Sequence, residues 1–163
     1  MIDTLPAFLK QRAERSYRNL LEQLAGLTEA DAVRGRRVDW PDHPWGIGQD
    51  GSIAGIVFHV AAWKQLTLPL LQGQAAMRRG PLDEAPGSDD WQGILAWLKQ
   101  VGTAWNAELA YLPMDVFEET RDWGGKPISV ARLIAECYEH DIQHASQIEF
   151  LRVRYQVEDA AGV

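Results

Sequence analysis

Apolar residues recur with helical period along four long stretches of the chain. Leu9, Ala13, Tyr17, Leu20, Leu21, Leu24 and Leu27 follow one another every three or four residues and predict a first helix from about Pro6 to Leu27. Pro6 suits its first turn. Gly26 and Thr28 mark its end, with Thr28-Glu29-Ala30-Asp31 capping a short extra turn. A second helix is predicted from the N-cap Ser52 to about Leu71, with Ile56, His59, Trp63 and Leu66 on its apolar face. Pro69 lacks a backbone donor, so a kink or an early end near Thr67 is expected. The third helix, about Asp90 to Leu112, carries the stripe Ile94, Leu98, Val101, Trp105 and Leu109. Ser88, Asp89 and Asp90 cap its positive end, and Pro113 stops it. The fourth starts at Ser129 and runs to about Val153, with Leu133, Cys137, His140, His144, Gln147 and Leu151 on one face.

Two connections, Arg34 to Gly51 and Gly73 to Ser88, are too rich in Pro and Gly for regular helix. Phe117 to Pro127 is short and turn-like, centred on Asp122-Trp123-Gly124-Gly125. No period-2 pattern of useful length, internal repeat or low-complexity tract appears. Val157 to Val163 has no core pattern and is expected to fray. The pattern therefore predicts an all-α four-helix bundle, one domain over 1–163 with its core at about 6–153.

Composition narrows the class. A chain of 163 residues can bury a sizeable core. The seven tryptophans fit an aromatic core or an apolar cleft. The net charge of -7, with no longer basic run than Arg34, Arg36 and Arg37, argues against a nucleic-acid partner. Apolar runs are interrupted by Lys, Gln or Gly before the ~20 residues of a membrane span, so no membrane partner is expected. One cysteine, Cys137, allows no internal disulfide, and the polar start Met1-Ile2-Asp3-Thr4 does not read as a leader. Both point to a cytoplasmic protein.

The candidate chemistry lies in the histidines. His140 and His144 are spaced i, i+4 on one helix, about 5–6 Å apart at Cβ, a spacing that offers two imidazoles to one metal ion. His59 sits in the apolar face of the second helix. If helices two and four pack together, three inward imidazoles converge. Three buried rings without a common partner leave polar nitrogens unsatisfied, a cost that a divalent ion of the zinc or nickel type relieves. The alternative is that all three are ordinary core histidines. A fourth histidine, His43, belongs to the Pro/Gly loop, at the mouth of a cleft or simply exposed. Three protein ligands leave one coordination position open, as catalytic sites do.

Other residues near this face have two readings each. Glu136 is a general base or ligand-orienting group, or a rim carboxylate in a salt bridge. Asp141 holds a ring N–H from behind, or is a surface charge. Gln147 hydrogen-bonds near the site, or packs. Cys137 is a fourth ligand or reactive thiol, or a small buried hydrophobe. Trp45, Trp63 and Trp123 wall a pocket, or are core.

Three segments carry a family resemblance: Ser52 to Trp63, Pro127 to Ile134, and His140-Asp141-Ile142-Gln143-His144-Ala145-Ser146-Gln147-Ile148. The last is similar to an H-x-x-x-H-x-G-Q signature, with Ser146 at the usual Gly; a small residue is kept, so close packing is expected to survive. With Leu20 to Leu24 before Gly26-Leu27-Thr28, the sequence resembles the DinB/YfiT-like superfamily over nearly its whole length. The resemblance implies an up-down-down-up bundle in which His59, His140 and His144 bind a divalent metal near one end. It also implies, for some relatives, thiol-dependent transfer or isomerisation, hence a low-molecular-weight thiol or other small-molecule partner, and a possible homodimer. Three functional readings stand together: a metal-dependent thiol S-transferase or hydrolase, a non-catalytic stress-response protein whose ion clamps the bundle, and a bundle whose histidines are only core.

Overall fold

A computed structural model describes residues 4–36, 50–75 and 90–162. Its helices are α1 (Leu5–Gln23), the short α2 (Glu29–Val33), α3 (Ile53–Leu71), α4 (Trp91–Tyr111) and α5 (Val130–Ala161). A 3-10 turn (Asp115–Glu118) and two strands, β1 (Thr120–Trp123) and β2 (Lys126–Ser129), lie between α4 and α5.

Each long helix starts where a side chain can satisfy its first free backbone N–H groups. Thr4 accepts from Ala7, Ser52 from Gly55, Asp90 from Gly93 and Ser129 from Arg132. The short turn expected at Thr28 is α2, held by a reciprocal capping box between Thr28 and Asp31.

Cross-helix contacts give the topology. Lys64 meets Asp141 and Thr67 meets Cys137, so α3 and α5 run antiparallel. Trp97 meets Gln65 and Trp105 meets Thr67, so α3 and α4 run parallel. Ser16 meets Asp141 and Arg152 meets Gln23, so α1 and α5 run parallel. Tyr17 meets Leu98 and Lys10 meets Ala110, so α1 and α4 are antiparallel. The order is up, down, down, up, as the resemblance implied.

The core has two apolar clusters. One gathers Tyr17, Leu20, Ile53, Val57, Val60, Trp91, Trp97, Leu98 and Ile148. The other gathers Leu9, Ala13, Leu70, Trp105, Phe117, Leu133 and Ile134. Between them, in sequence along α1, α3 and α5, stand the buried polar residues Ser16, Lys64, Thr67, Asp141 and His144. Such a layer persists only where its groups find partners.

Four expectations need correction. Phe117 to Pro127 was expected to be only a turn, but Thr120 pairs with Ser129 and Trp123 with Lys126 in an antiparallel hairpin. Gly124 and Gly125 both take positive φ (62° and 87°), the backbone that a tight two-residue hairpin turn demands. α3 does not end near Thr67. Pro69 gives up one i→i−4 bond, yet the helix runs on through it to Leu71, with the buried Leu70 and Leu71 holding the last turn in place. The Leu70 carbonyl accepts from Arg121 Nε at 2.9 Å. α5 continues past Val153 to Ala161, where the tail was expected to fray. Arg34 pairs there with Glu158 and Asp159, and buried Tyr155 donates to the Arg34 carbonyl. Finally, α3 is long and apolar enough by length and composition to cross a membrane, although 61% of its most apolar window is buried inside the bundle.

Candidate metal centre

α3 and α5 bring His59, His140 and His144 together. His59 Nε2 lies 2.9 Å from His140 Nε2, and His144 Nε2 lies 3.1 Å from the same atom. One ligand atom from each ring falls within 4.8 Å of the others. His144 is buried and the other two are half-buried. On α5 the pair lies between the two apolar clusters rather than near one end, because α5 extends well beyond it.

The hydrogen bonds orient the rings. His144 Nδ1 is 2.7 Å from Gln147 Oε1. With the amide oxygen accepting, Nδ1 carries the proton and Nε2 turns its lone pair to the centre. His140 is stacked on Trp63, with ring centroids 5.0 Å apart and planes at 19°. Trp123 of the hairpin meets Trp63 edge-on at 5.5 Å. Trp63 and Trp123 thus stand beside His140, both half-buried against the second apolar cluster, which is the core of their second reading.

The three Nε2 atoms cannot all be satisfied by one another. A single proton on His140 Nε2 serves one neighbour and leaves a lone pair facing the second. His140 Nδ1 is buried with no hydrogen-bond partner among the described residues. A proton is a poor remedy here. Burial, then the neighbouring His144 and His59, then Lys64 push the His140 pKa down to about 2, and burial also lowers that of His144. A divalent cation fits the donor set better, because it takes neutral imidazoles. Tetrahedral ligands on zinc at ~2.0–2.1 Å stand about 3.3 Å apart, close to the observed 2.9 and 3.1 Å.

The structure also places the secondary candidates. Glu136 pairs with Arg132 of its own helix at 2.8 Å, the rim salt bridge of its second reading. Asp141 is neither a surface charge nor bonded to a ring nitrogen: it is buried, 2.8 Å from Lys64 Nζ and 3.4 Å from Ser16 Oγ. Cys137 is buried beside Thr67, and burial raises its thiol to about 11, so it is a neutral packing group rather than a thiolate. Ser146 is exposed and bonds the Ile142 carbonyl, so no close packing depends on it. His43 and Trp45 lie outside the described residues. Lys64 was missed. Its signal was a single lysine inside an otherwise apolar helix, where a buried charge needs a partner.

A helical bundle with three imidazoles converging from two of its helices defines a class of protein able to hold one metal ion. The DinB superfamily model matches residues 12–148, and the chain belongs to that superfamily. No curated protein matches it. Among solved structures it is similar to a conserved protein from Enterococcus faecalis, with a TM-score of 0.60 and 14% identity, over 89% of this chain and 93% of that one. At that identity the likeness concerns the fold.

Proposed function

We propose that this protein binds one divalent metal ion through His59, His140 and His144, and that the bound ion serves a metal-dependent thiol transfer or hydrolysis. The observation that carries the reading is the convergence of three Nε2 atoms at 2.9 and 3.1 Å, with Gln147 fixing one tautomer. Zinc or nickel suits three neutral imidazoles. A bound ion of this kind lowers the pKa of a thiol or water on a position that the protein leaves open. Trp63, stacked on His140, and Trp123 behind it would offer a substrate an apolar surface beside the ligands. The family and the acidic charge support a small-molecule partner rather than nucleic acid, and a cytoplasmic setting.

The test is metal content of the protein purified without a histidine tag. The expected result is about one ion per chain, lost in His59→Ala, His140→Ala and His144→Ala. Absence of metal after reconstitution with zinc and nickel would overturn the reading. Cobalt substitution then separates an enzyme from a clamp. A visible spectrum that shifts on adding a low-molecular-weight thiol supports the open position. A spectrum indifferent to thiols, with a large loss of thermal stability on chelation, supports an ion that only ties α3 to α5.

A further inference from the structure

None of the three histidines lines the surface of α1 where Arg12, Arg15, Asn19 and Glu22 stand beside Ile142 of α5. A cavity of about 450 Å³ opens there, within the range of small-molecule pockets. Arg12, Arg15, Asn19 and Glu22 line it at spacings of three and four, one stripe of α1. Buried Ser16 and, from α5, the exposed Ile142 also line it.

The charges are unusual for this chain. Acidic residues outnumber basic ones, 23 to 16, yet neither Arg12 nor Arg15 forms an ion pair with a described residue. Arg18 at the rim is already tied to Glu14 at 2.6 Å. Arg12 is held in place by aromatic rings, its guanidinium carbon 5.7 Å from the Phe8 centroid and 5.9 Å from that of Tyr138. Its Nε is buried without a hydrogen-bond partner among the described residues. Cation–π contacts of this kind favour a restrained guanidinium before any ligand arrives, which lowers the entropy lost on binding.

We infer that this pocket binds a small oxyanion, a carboxylate or a phosphate monoester, whose charged end sits between Arg12 and Arg15. Planar guanidinium groups recognise both anions through paired N–H···O bonds. Glu22 stands seven residues beyond Arg15, about 10 Å along the helix. It repels a second negative charge and accepts from an N–H or O–H group at the ligand's other end, so the site selects a single anionic end with a neutral or cationic remainder.

The experiment is a chemical-shift titration of the full-length protein with sodium phosphate and, separately, sodium acetate at constant ionic strength. The signals followed are the Asn19 side-chain amide and the Arg12 Nε–H. Saturable shifts at both are expected. Arg15→Gln, on the exposed rim, should weaken binding about tenfold, the worth of one charged hydrogen-bonded contact. Arg12→Gln should do the same, Glu22→Gln should tighten binding, and Arg154→Gln should leave it unchanged. Saturation by phosphate alone or by acetate alone would identify which oxyanion the site takes. Shifts that stay linear with both salts, or an equal loss in Arg154→Gln, would overturn the inference. Because the readout is local to α1, it is independent of whether His59, His140 and His144 hold metal.

Discussion

At the scale of single residues, two hydrogen-bonded pairs carry the site. Gln147 holds His144 through Nδ1 at 2.7 Å, the outer contact that fixes a ligand ring's tautomer and orientation. Gln147→Leu is therefore expected to weaken metal affinity about 10- to 100-fold while barely changing the stability of the metal-free protein, because residue 147 is exposed. Competition with a chromogenic chelator measures the first, and urea unfolding the second. Unchanged affinity would show that the bond does not orient the ring. Lys64 and Asp141 are each almost wholly buried, at 1% and 2% exposure, and 2.8 Å apart. Removing one charge strands the other, so Lys64→Met should cost about 3–5 kcal/mol, and Lys64→Met with Asp141→Leu should recover much of that loss. Urea midpoints of these variants and of Asp141→Leu decide it; a double loss equal to the sum of the two single losses would mean that the pair is not coupled. The three histidines were legible from their spacing and from the helix faces they share. The Lys64 partner of Asp141 was not, because helical period places Asp141 beside the ligand face without saying which helix closes over it.

At the scale of elements, the four long helices were legible because each combines an apolar stripe with a cap residue, and the caps lie where Ser52, Asp90 and Ser129 predicted. Where reading failed, tertiary contacts outweighed local preference. The C-terminal end of α5 has few apolar positions of its own and is held from outside by Arg34. The hairpin is too short for a strand pattern, and its real signal was Gly124-Gly125 between residues able to pair. The close approach of α1 and α4 also has no local signature beyond a glycine within a helix. A Cβ on Gly102 would lie 2.2 Å from Cζ and Oη of Tyr17, whose hydroxyl donates to the Leu98 carbonyl at 3.1 Å. Gly102→Ala should therefore destabilise by about 2 kcal/mol or more, lowering the melting temperature by several degrees. Adding Tyr17→Leu should restore part of the loss by clearing the space. A melting temperature unaffected by Gly102→Ala would mean that the two helices separate at little cost.

At the scale of the whole molecule, the two apolar clusters with a polar layer between them tie stability to pH. Burial lowers the pKa of His140, to about 2, and of His144, below the 6.5 of the unfolded chain. As pH falls below 6.5 the unfolded state takes up protons that the folded state refuses, so stability is full above 6.5 and declines as pH drops toward the folded values. Each histidine contributes a slope of at most about 1.4 kcal/mol per pH unit. Asp141 acts in the opposite sense. Burial raises its pKa above 3.8, against the pull of Lys64, so the folded state binds that proton more readily than the unfolded chain and offsets part of the decline. Urea midpoints of the chelated protein should fall from pH 7.5 to 5.5, and should fall less in His140→Asn, which removes one of the titrating rings. With metal bound the same direction holds more steeply, because protons compete with the ion for neutral imidazoles. Stability that stays level between pH 7.5 and 5.5 would mean that the rings take up protons in the folded state, and that the layer is open enough to water to admit the charge.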